Sequence, residues 1–442
     1  MPDCLFLSHP QPRDSGDYLH RVTLPGRALA RHLQAAEMQT SHPAWLACGL
    51  QAGLLVVGMV ADPTVLALVE ARRRLGRPTA FEISDDFRDF PPSLPGHAFY
   101  GRPHNQALIE QAAREADLLQ FSSHGLAARY GHLNPHHVVL PNQLAEVPEL
   151  PAPEPRRLRE PVLGWAGSAG HLEDARQLVA WLRPWYAARR RTGQVLPRFE
   201  VMAPDRVAGV FLGSGLPARV HAPGSFEAYL AFLGTLDVGL AILGDSDFAR
   251  GRSDGKFLEY ASRGAVCVAS AAGEYRHGIR EGETGLLFDG PEALQAHLDA
   301  LVDDAPRRLR LRQAAHAHVR GRRTHAVAAV ERARLYGGLL GTAGAAGCAG
   351  ADSRGGLRSL QDPTESRFVE GSRLHMRGLL HEALEAYLEV VSAHPGFHEP
   401  WARGSAIARA LGAEADAGLF EQMARQAMQA QLQQAALARV PA

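Results

Sequence analysis

The chain has no run of 18 apolar residues, so nothing in it reads as a membrane-spanning helix. The opening MPDCLFLSHPQPRDSG carries no basic region ahead of a long apolar core, and export is not indicated. Net charge is also absent: Lys+Arg and Asp+Glu both total 47, which gives no argument for nucleic acid as a partner. Cysteine is scarce, and Cys4, Cys48, Cys267 and Cys348 stand at no metal-ligand spacing. Cys267 falls in an apolar run, and a reduced, cytoplasmic setting fits this usage. Local arginine clusters at 72–74, 189–191 and 307–323 read as solvated helix faces, and the last could touch anionic lipid head groups at the inner face of a membrane. At 442 residues the length predicts two or three domains, enough for a sizeable core.

What the chain does have is alternation of short apolar runs with helical patterns. Cys4–Leu7, a helix from Pro25 to Ala36, Gly53–Val60, a helix from Pro63 to Leu75 and Thr79–Ile83 come first. A helix around Asn105–Glu115, then Leu118–Ser122 and Val138–Leu140, complete a first region of 1–150. This is the pattern of βαβ units and a parallel sheet. Five prolines between Pro148 and Pro161 read as a hinge. A second α/β region, 151–336, starts with the strand Val162–Trp165 and the small-residue loop Ala166–His171, which opens a helix near Leu172. Small residues let backbone amides approach a phosphate, and a helix start adds partial positive charge. Strands at 199–202, 220–222, 238–243, 265–270 and 285–288 follow, with a helix at 226–234 and terminal helices at 291–304 and 307–340.

The densest signal is Arg252–Phe288, RSDGKFLEYASRGAVCVASAAGEYRHGIREGETGLLF. Phe257, Leu258 and Ala261 share a helical face, Gly264 stops the helix, and Ala265–Ser270 is a buried-type strand. This run resembles the donor-binding segment of family 4 glycosyltransferases of the GT-B fold, with its KSD-x-K-x-LEY, G-x-PVV-x-S and G-x-x-GLL elements. DVGLAIL after a helix, VVLPNQL at the end of the first region, and GW-x-GS followed by a histidine are similar to that family too. Gln143 replaces the family's glycine after Pro-Asn, where Asn142 can itself take the left-handed conformation. The resemblance covers about residues 1–340 and implies two Rossmann-like domains, an acceptor domain and a nucleotide-sugar donor domain.

It further implies roles. Glu259 corresponds to the second acid of a Glu-x7-Glu motif and would hold ribose hydroxyls; the first acid falls on Gly251. Asp245, Asp247 and Asp254 are the open substitutes. Arg252 and Lys256 are the candidates for the diphosphate charge and, with Glu259, for the catalytic set. Gly167, Ser168, Ala169, His171 and Tyr275 join Glu259 as donor-binding candidates. On the acceptor side stand Ser15 and Gly16, Arg21, and the paired Asp85 and Asp86 at a strand end. The implied reaction moves a sugar from a nucleotide-diphosphate sugar to a glycan or protein, retaining configuration, with no cofactor and no metal. A catalytically silent GT-B scaffold and a nucleotide-sugar epimerase or hydrolase are the alternatives that Gly251 keeps open.

Past Tyr336 the composition shifts. Residues 337–363 hold eight glycines and read as a flexible linker. Residues 364–442 are helical, and Gly371, Ala383, Tyr387 and Pro395, then Trp401 and Ala417, fall on the spacing of the tetratricopeptide repeat, about 34 residues. Fewer than about three repeats seldom stand alone. The tail is therefore expected to dock on the enzyme body, on a second copy or on a protein partner.

Overall fold

The computed structural model of the chain describes residues 2–92, 94, 96–341 and 356–437. Cys348 and the centre of the expected linker, 342–355, lie outside the described residues. Six strands open the chain: β1 Cys4–Ser8, β2 Ala35–Gln39, β3 Leu54–Gly58, β4 Thr79–Ile83, β5 Leu118–Phe121 and β6 His137–Val139. Six more form a second sheet: β7 Val162–Ala166, β8 Arg198–Met202, β9 Ala218–His221, β10 Val238–Ala241, β11 Val266–Ser270 and β12 Leu286–Phe288. A last short strand, β13 Arg358–Ser359, joins the first sheet, whose order is β13-β2-β1-β3-β4-β5-β6; the second runs β12-β11-β10-β7-β8-β9. By compactness one unit comprises Met1–Glu82, Ala107–Leu119 and Ala329–Ala442, the other Ile83–Gln106 and Gln120–Ala328. No helix among the described residues is long and apolar enough to cross a membrane.

In the first unit one expected helix is replaced. The segment Pro25–Ala36 is helical only to Leu29, and Ala35–Gln39 is a fully buried strand paired in parallel with β1. The residues Ala-Ala-Glu-Met-Gln favour helix locally, and pairing overrides that preference. Burial of the polar pair is satisfied: Glu37 accepts from Thr23 Oγ1 at 2.9 Å and Arg13 Nη1 at 3.3 Å, and Gln39 Nε2 donates to Gln11 O at 2.8 Å. The helix Trp45–Gln51 carried no periodic signal and is a further addition. Among the described residues Met59 (φ 45°) is the non-glycine residue with positive φ, so Asn142 does not take the left-handed conformation expected of it.

The tail packs on this same unit. Helices Glu365–Met376, Leu380–Ala393, His398–Ala410 and Glu414–Leu437 follow one another. Gly371 is needed because a Cβ there would meet the Tyr387 ring at 2.8 Å. His398 Nε2 lies 3.3 Å from Thr64 Oγ1, its ring 5.9 Å from that of Trp45, and Gln431 Nε2 donates to Pro43 O at 3.1 Å. Ahead of the tail, Arg358 and Ser359 pair with Ala36 and Glu37, and Arg13 Nη2 donates to Leu360 O at 3.3 Å.

In the second unit the strand pairings among the described residues are parallel, with apolar cores on the sheet: Trp165, Leu178, Phe199 and Val268 in one cluster, Phe257, Tyr260, Cys267 and Ile279 in another. Strand order reverses between β7 and β10, since β7 leads to β8 and β9 on one side and β10 to β11 and β12 on the other. In open α/β sheets the crevice at the carboxyl ends of strands flanking such a switch is where ligands bind.

Candidate donor site at the sheet switch point

The loop after β7 begins at Gly167, whose N–H donates to Met202 O at 3.1 Å. Ser168, Ala169 and Gly170 are exposed, and a turn at Ala169–His171 leads into the 21-residue helix Leu172–Thr192. The start of this helix is held from two sides. Asp174 accepts from His171 Nδ1 at 2.7 Å and from Gly244 N, in the loop after β10, at 3.1 Å. The two loops at the switch point are thereby tied to one carboxylate.

The helix Gly255–Ser262 brings in the charge. It is seated by Tyr260, whose hydroxyl donates to Leu240 O at 3.1 Å and whose ring occupies the space a side chain on Gly239 would take. One turn earlier Lys256 Nζ donates to Ala166 O at 2.5 Å, at the carboxyl end of β7. Burial pushes the Lys256 ammonium below the ordinary lysine range; the charge of Arg252 works the same way, while Glu259 and Asp174 oppose it. Burial likewise lowers His171, with Asp174 opposing and Lys256 and Arg252 adding to the effect. The charge of Arg252 thus disfavours the charged forms of Lys256 and His171 at an exposed glycine loop and a helix start, an arrangement that an anion relieves. Arg252 also lies over the Phe248 ring, 5.5 Å from its centroid. Glu259 accepts from Tyr229 Oη at 2.6 Å, and burial with the Glu259 charge drives the Tyr229 phenol far up. Tyr275 is 3% exposed and packs in the apolar cluster with Tyr260 and Cys267.

The chain is similar to known proteins in sequence and in fold. Residues 176–332 match the family model described as "Glycosyl transferase-like". No curated protein sequence matches the chain. Among solved structures, Anabaena Alr3699/HepE in complex with UDP is similar at TM-score 0.55 and 12% identity, over 76% of this chain and 100% of that one. Its UDP-glucose complex gives the same figures. A glycosyltransferase from Rickettsia africae is similar at TM-score 0.52 and 12% identity, over 76% and 98%. The fold is that of the GT-B glycosyltransferases.

Gly251, the position of the missing acid, is closely packed. A Cβ there would meet Leu126 Cδ2 at 3.0 Å, and Ser123 Oγ donates to Gly251 O at 2.8 Å. The open substitutes are engaged elsewhere. Asp254 is 0% exposed and holds Arg323 through contacts of 2.7 and 3.0 Å; Asp247 pairs with Arg129 at 2.6 Å; the Asp245 side chain is exposed beside Arg250 at 3.2 Å. Sequence reasoning missed the acid that does lie nearby. Glu274, 2% exposed, accepts from His124 N at 2.8 Å and lies 2.9 Å from His124 Nδ1, while its own N–H donates to Arg252 O at 3.3 Å. His277 stacks on His124 with centroids 4.1 Å apart. The signal available was an acid directly after Gly273, which takes φ 53° at a strand end.

The acceptor-side candidates fall in both units. Ser15 caps the turn Gly16–Tyr18, accepting from Tyr18 N at 3.3 Å, and Gly16 is exposed. Arg21, in the π-helical turn Leu19–Thr23, is buried against Glu82 with Nε–Oε1 at 2.8 Å and Nη2–Oε2 at 2.9 Å. Those three belong to the first unit; Asp85 and Asp86 belong to the second. Asp86 is 1% exposed and organises its own loop: it accepts from Arg88 N at 3.1 Å, Asp89 N at 3.2 Å and the Tyr130 hydroxyl, and pairs with Arg129 Nε at 3.1 Å. Asp85 is half-buried beside it.

Proposed function

We propose that the chain is a glycosyltransferase that moves a sugar from a nucleotide-diphosphate sugar to a glycan or protein acceptor. One observation carries the reading: Lys256 reaches the carboxyl end of β7 where the exposed Gly167–Gly170 loop opens a 21-residue helix, at the point where strand order reverses. The diphosphate lies against the loop amides, Lys256 and Arg252, and the helix start. As the bond from the sugar's anomeric carbon to the β-phosphate oxygen breaks, these groups take up the charge that develops on the leaving diphosphate, and no metal is required for that. Glu259, oriented by Tyr229, holds the ribose hydroxyls. Attack comes from the face the leaving group vacates, with retained configuration. The UDP and UDP-glucose complexes among the similar structures make uridine diphosphate sugars the first donors to test. Residues 364–442, read as tetratricopeptide-like, serve an acceptor protein, an assembly partner or a second copy, and the enzyme works in the cytoplasm or against the inner membrane face.

A second reading, a scaffold that binds nucleotide without transferring, is favoured by Gly251, where Leu126 fills the space an acid would need. Thermal shifts against a panel of nucleotide sugars decide the first step, since ligand at a hundred times Kd adds about 2.7 kcal/mol of stability. Transfer assays with and without chelator decide the rest. Stabilisation by a nucleotide sugar with no transfer to any glycan or protein acceptor supports the scaffold; transfer abolished by chelator and restored by manganese or magnesium refutes the metal-free site.

A further inference from the structure

Arg308 is 3% exposed, yet among the described residues it has no carboxylate within ion-pair distance. Its guanidinium donates to neutral carbonyls, those of Arg157 and Leu158 at 3.0 Å and that of Leu301. Arg312 is held the same way, on Gly264 O at 3.0 Å and Pro151 O at 2.6 Å. Arg263 Nε is buried without any hydrogen-bond partner. These three and Arg157 line one cavity of about 150 Å³, with Glu154 and Asp237 as its acids. Asp237 is already used: it takes Arg157 through contacts of 3.0 and 3.0 Å and Val162 N at 2.8 Å. The exposed Glu154 thus faces three guanidiniums that have no carboxylate within ion-pair distance among the described residues.

A buried cation without a partner is costly. Burial holds both Arg308 and Arg312 below the ordinary arginine range; Asp237 opposes in each, Asp304 also opposes for Arg308, and Arg157 adds to the effect in both. The space is about five times the roughly 30 Å³ that one water takes in the liquid, enough for a tetrahedral oxyanion. Guanidinium forks match such an anion bidentately. We infer that this cavity is a binding site for a phosphate group, either inorganic phosphate or a phosphomonoester, separate from the donor site. It lies at the amino-terminal ends of the strands of the second sheet: Asp237 immediately precedes β10, Val162 begins β7 and Gly264 precedes β11. A five-residue strand, roughly 17 Å, stands between it and the carboxyl ends where Lys256 sits. The helix bearing Lys256 and Glu259 ends at Arg263, so the anion holds the far end of the helix that presents the donor-site charge.

Inorganic phosphate titrated calorimetrically into the full chain tests this without reference to transfer. Binding is expected to persist in Lys256→Ala and to weaken at least tenfold in Arg263→Gln/Arg312→Gln. If the double variant misfolds, Arg263→Gln alone serves, since its Nε has no protein partner to lose. A phosphate response that disappears in Lys256→Ala but not in the arginine variants overturns the site. To separate sources, flotation with phosphatidylcholine vesicles containing phosphatidic acid is run in parallel. Vesicle binding lost in the arginine variants assigns the phosphate to a lipid headgroup, and binding of soluble phosphate alone assigns it to a free anion. Neither response in the wild-type chain refutes the inference.

Discussion

Glu259→Gln separates the ribose role from a packing role. Gln retains an oxygen that can accept from the Tyr229 hydroxyl, now 2.6 Å from Glu259 Oε2, so the local fold should hold. What disappears is the negative charge. A hydrogen bond to a charged group contributes about 1.5–3 kcal/mol, and part of it survives with a neutral amide. The expected loss in nucleoside affinity is therefore about 1–2 kcal/mol, on the order of 5- to 30-fold in Kd. The charge of Glu259 also supports the protonated form of Lys256, so diphosphate affinity should fall somewhat further than nucleoside affinity. Tyr229→Phe is the control: it keeps the charge and removes a single orienting bond, for about 0.5–1.5 kcal/mol. Calorimetry with uridine and with UDP measures both quantities, and a thermal melt verifies folding. A folded Glu259→Gln protein that binds nucleoside as well as the wild type refutes the assignment.

Three further perturbations follow. Lys256→Ala should cost UDP at least tenfold in affinity and leave uridine nearly unchanged, and equal losses for both ligands would remove Lys256 from the phosphate site. Gly125→Ala should lower the melting temperature, because the added methyl would sit inside contact distance of the Arg250 carbonyl, and overpacking costs about 1–3 kcal/mol against at most about 1 gained in helix propensity; an unchanged melt contradicts that packing. Glu399 is held well above the ordinary glutamate range by burial, with Arg403 opposing and Asp62 reinforcing the shift. Its folded pKa exceeds the unfolded value of about 4.3, so the stability it contributes is full below that pH and is lost as pH rises through the folded value. Denaturant melts from acid to neutral pH should show Glu399→Gln gaining on the wild type as pH rises, and parallel curves would show that the carboxyl is not buried as described.

The second sheet was readable because its strands are buried on both faces and carry uninterrupted apolar runs, as in Val266–Ser270, between glycine stops. The loop after β7 was readable from small residues at a strand-to-helix junction. β2 was not, because Glu37 and Gln39 are buried polar residues whose partners, Arg13, Thr23 and Gln11, lie outside the strand and leave no periodic trace. The same holds for the pair His124 and Glu274, brought together across 150 residues of sequence. Asp85 and Asp86 entered as acceptor-side candidates through the resemblance; only the contacts with Tyr130 and Arg129 show that Asp86 braces its own loop. Arg308 read as part of a solvated run, and burial against backbone carbonyls is what distinguishes it.

β13 has a consequence for how the protein is made. The first unit draws on residues up to 82, on 107–119 and from 329 onward, so its outer strand and four helices leave the ribosome at least about 300 residues after its first three strands. At roughly 5–20 residues per second this is a delay on the order of 15–60 seconds. The sheet of the second unit, β7–β12, is contiguous from Val162 to Phe288 and can close within that interval. Maturation therefore runs against the usual order, with the later half complete first and β2 waiting as an open edge for most of translation, the stage at which pairing with a neighbouring nascent chain competes with β13.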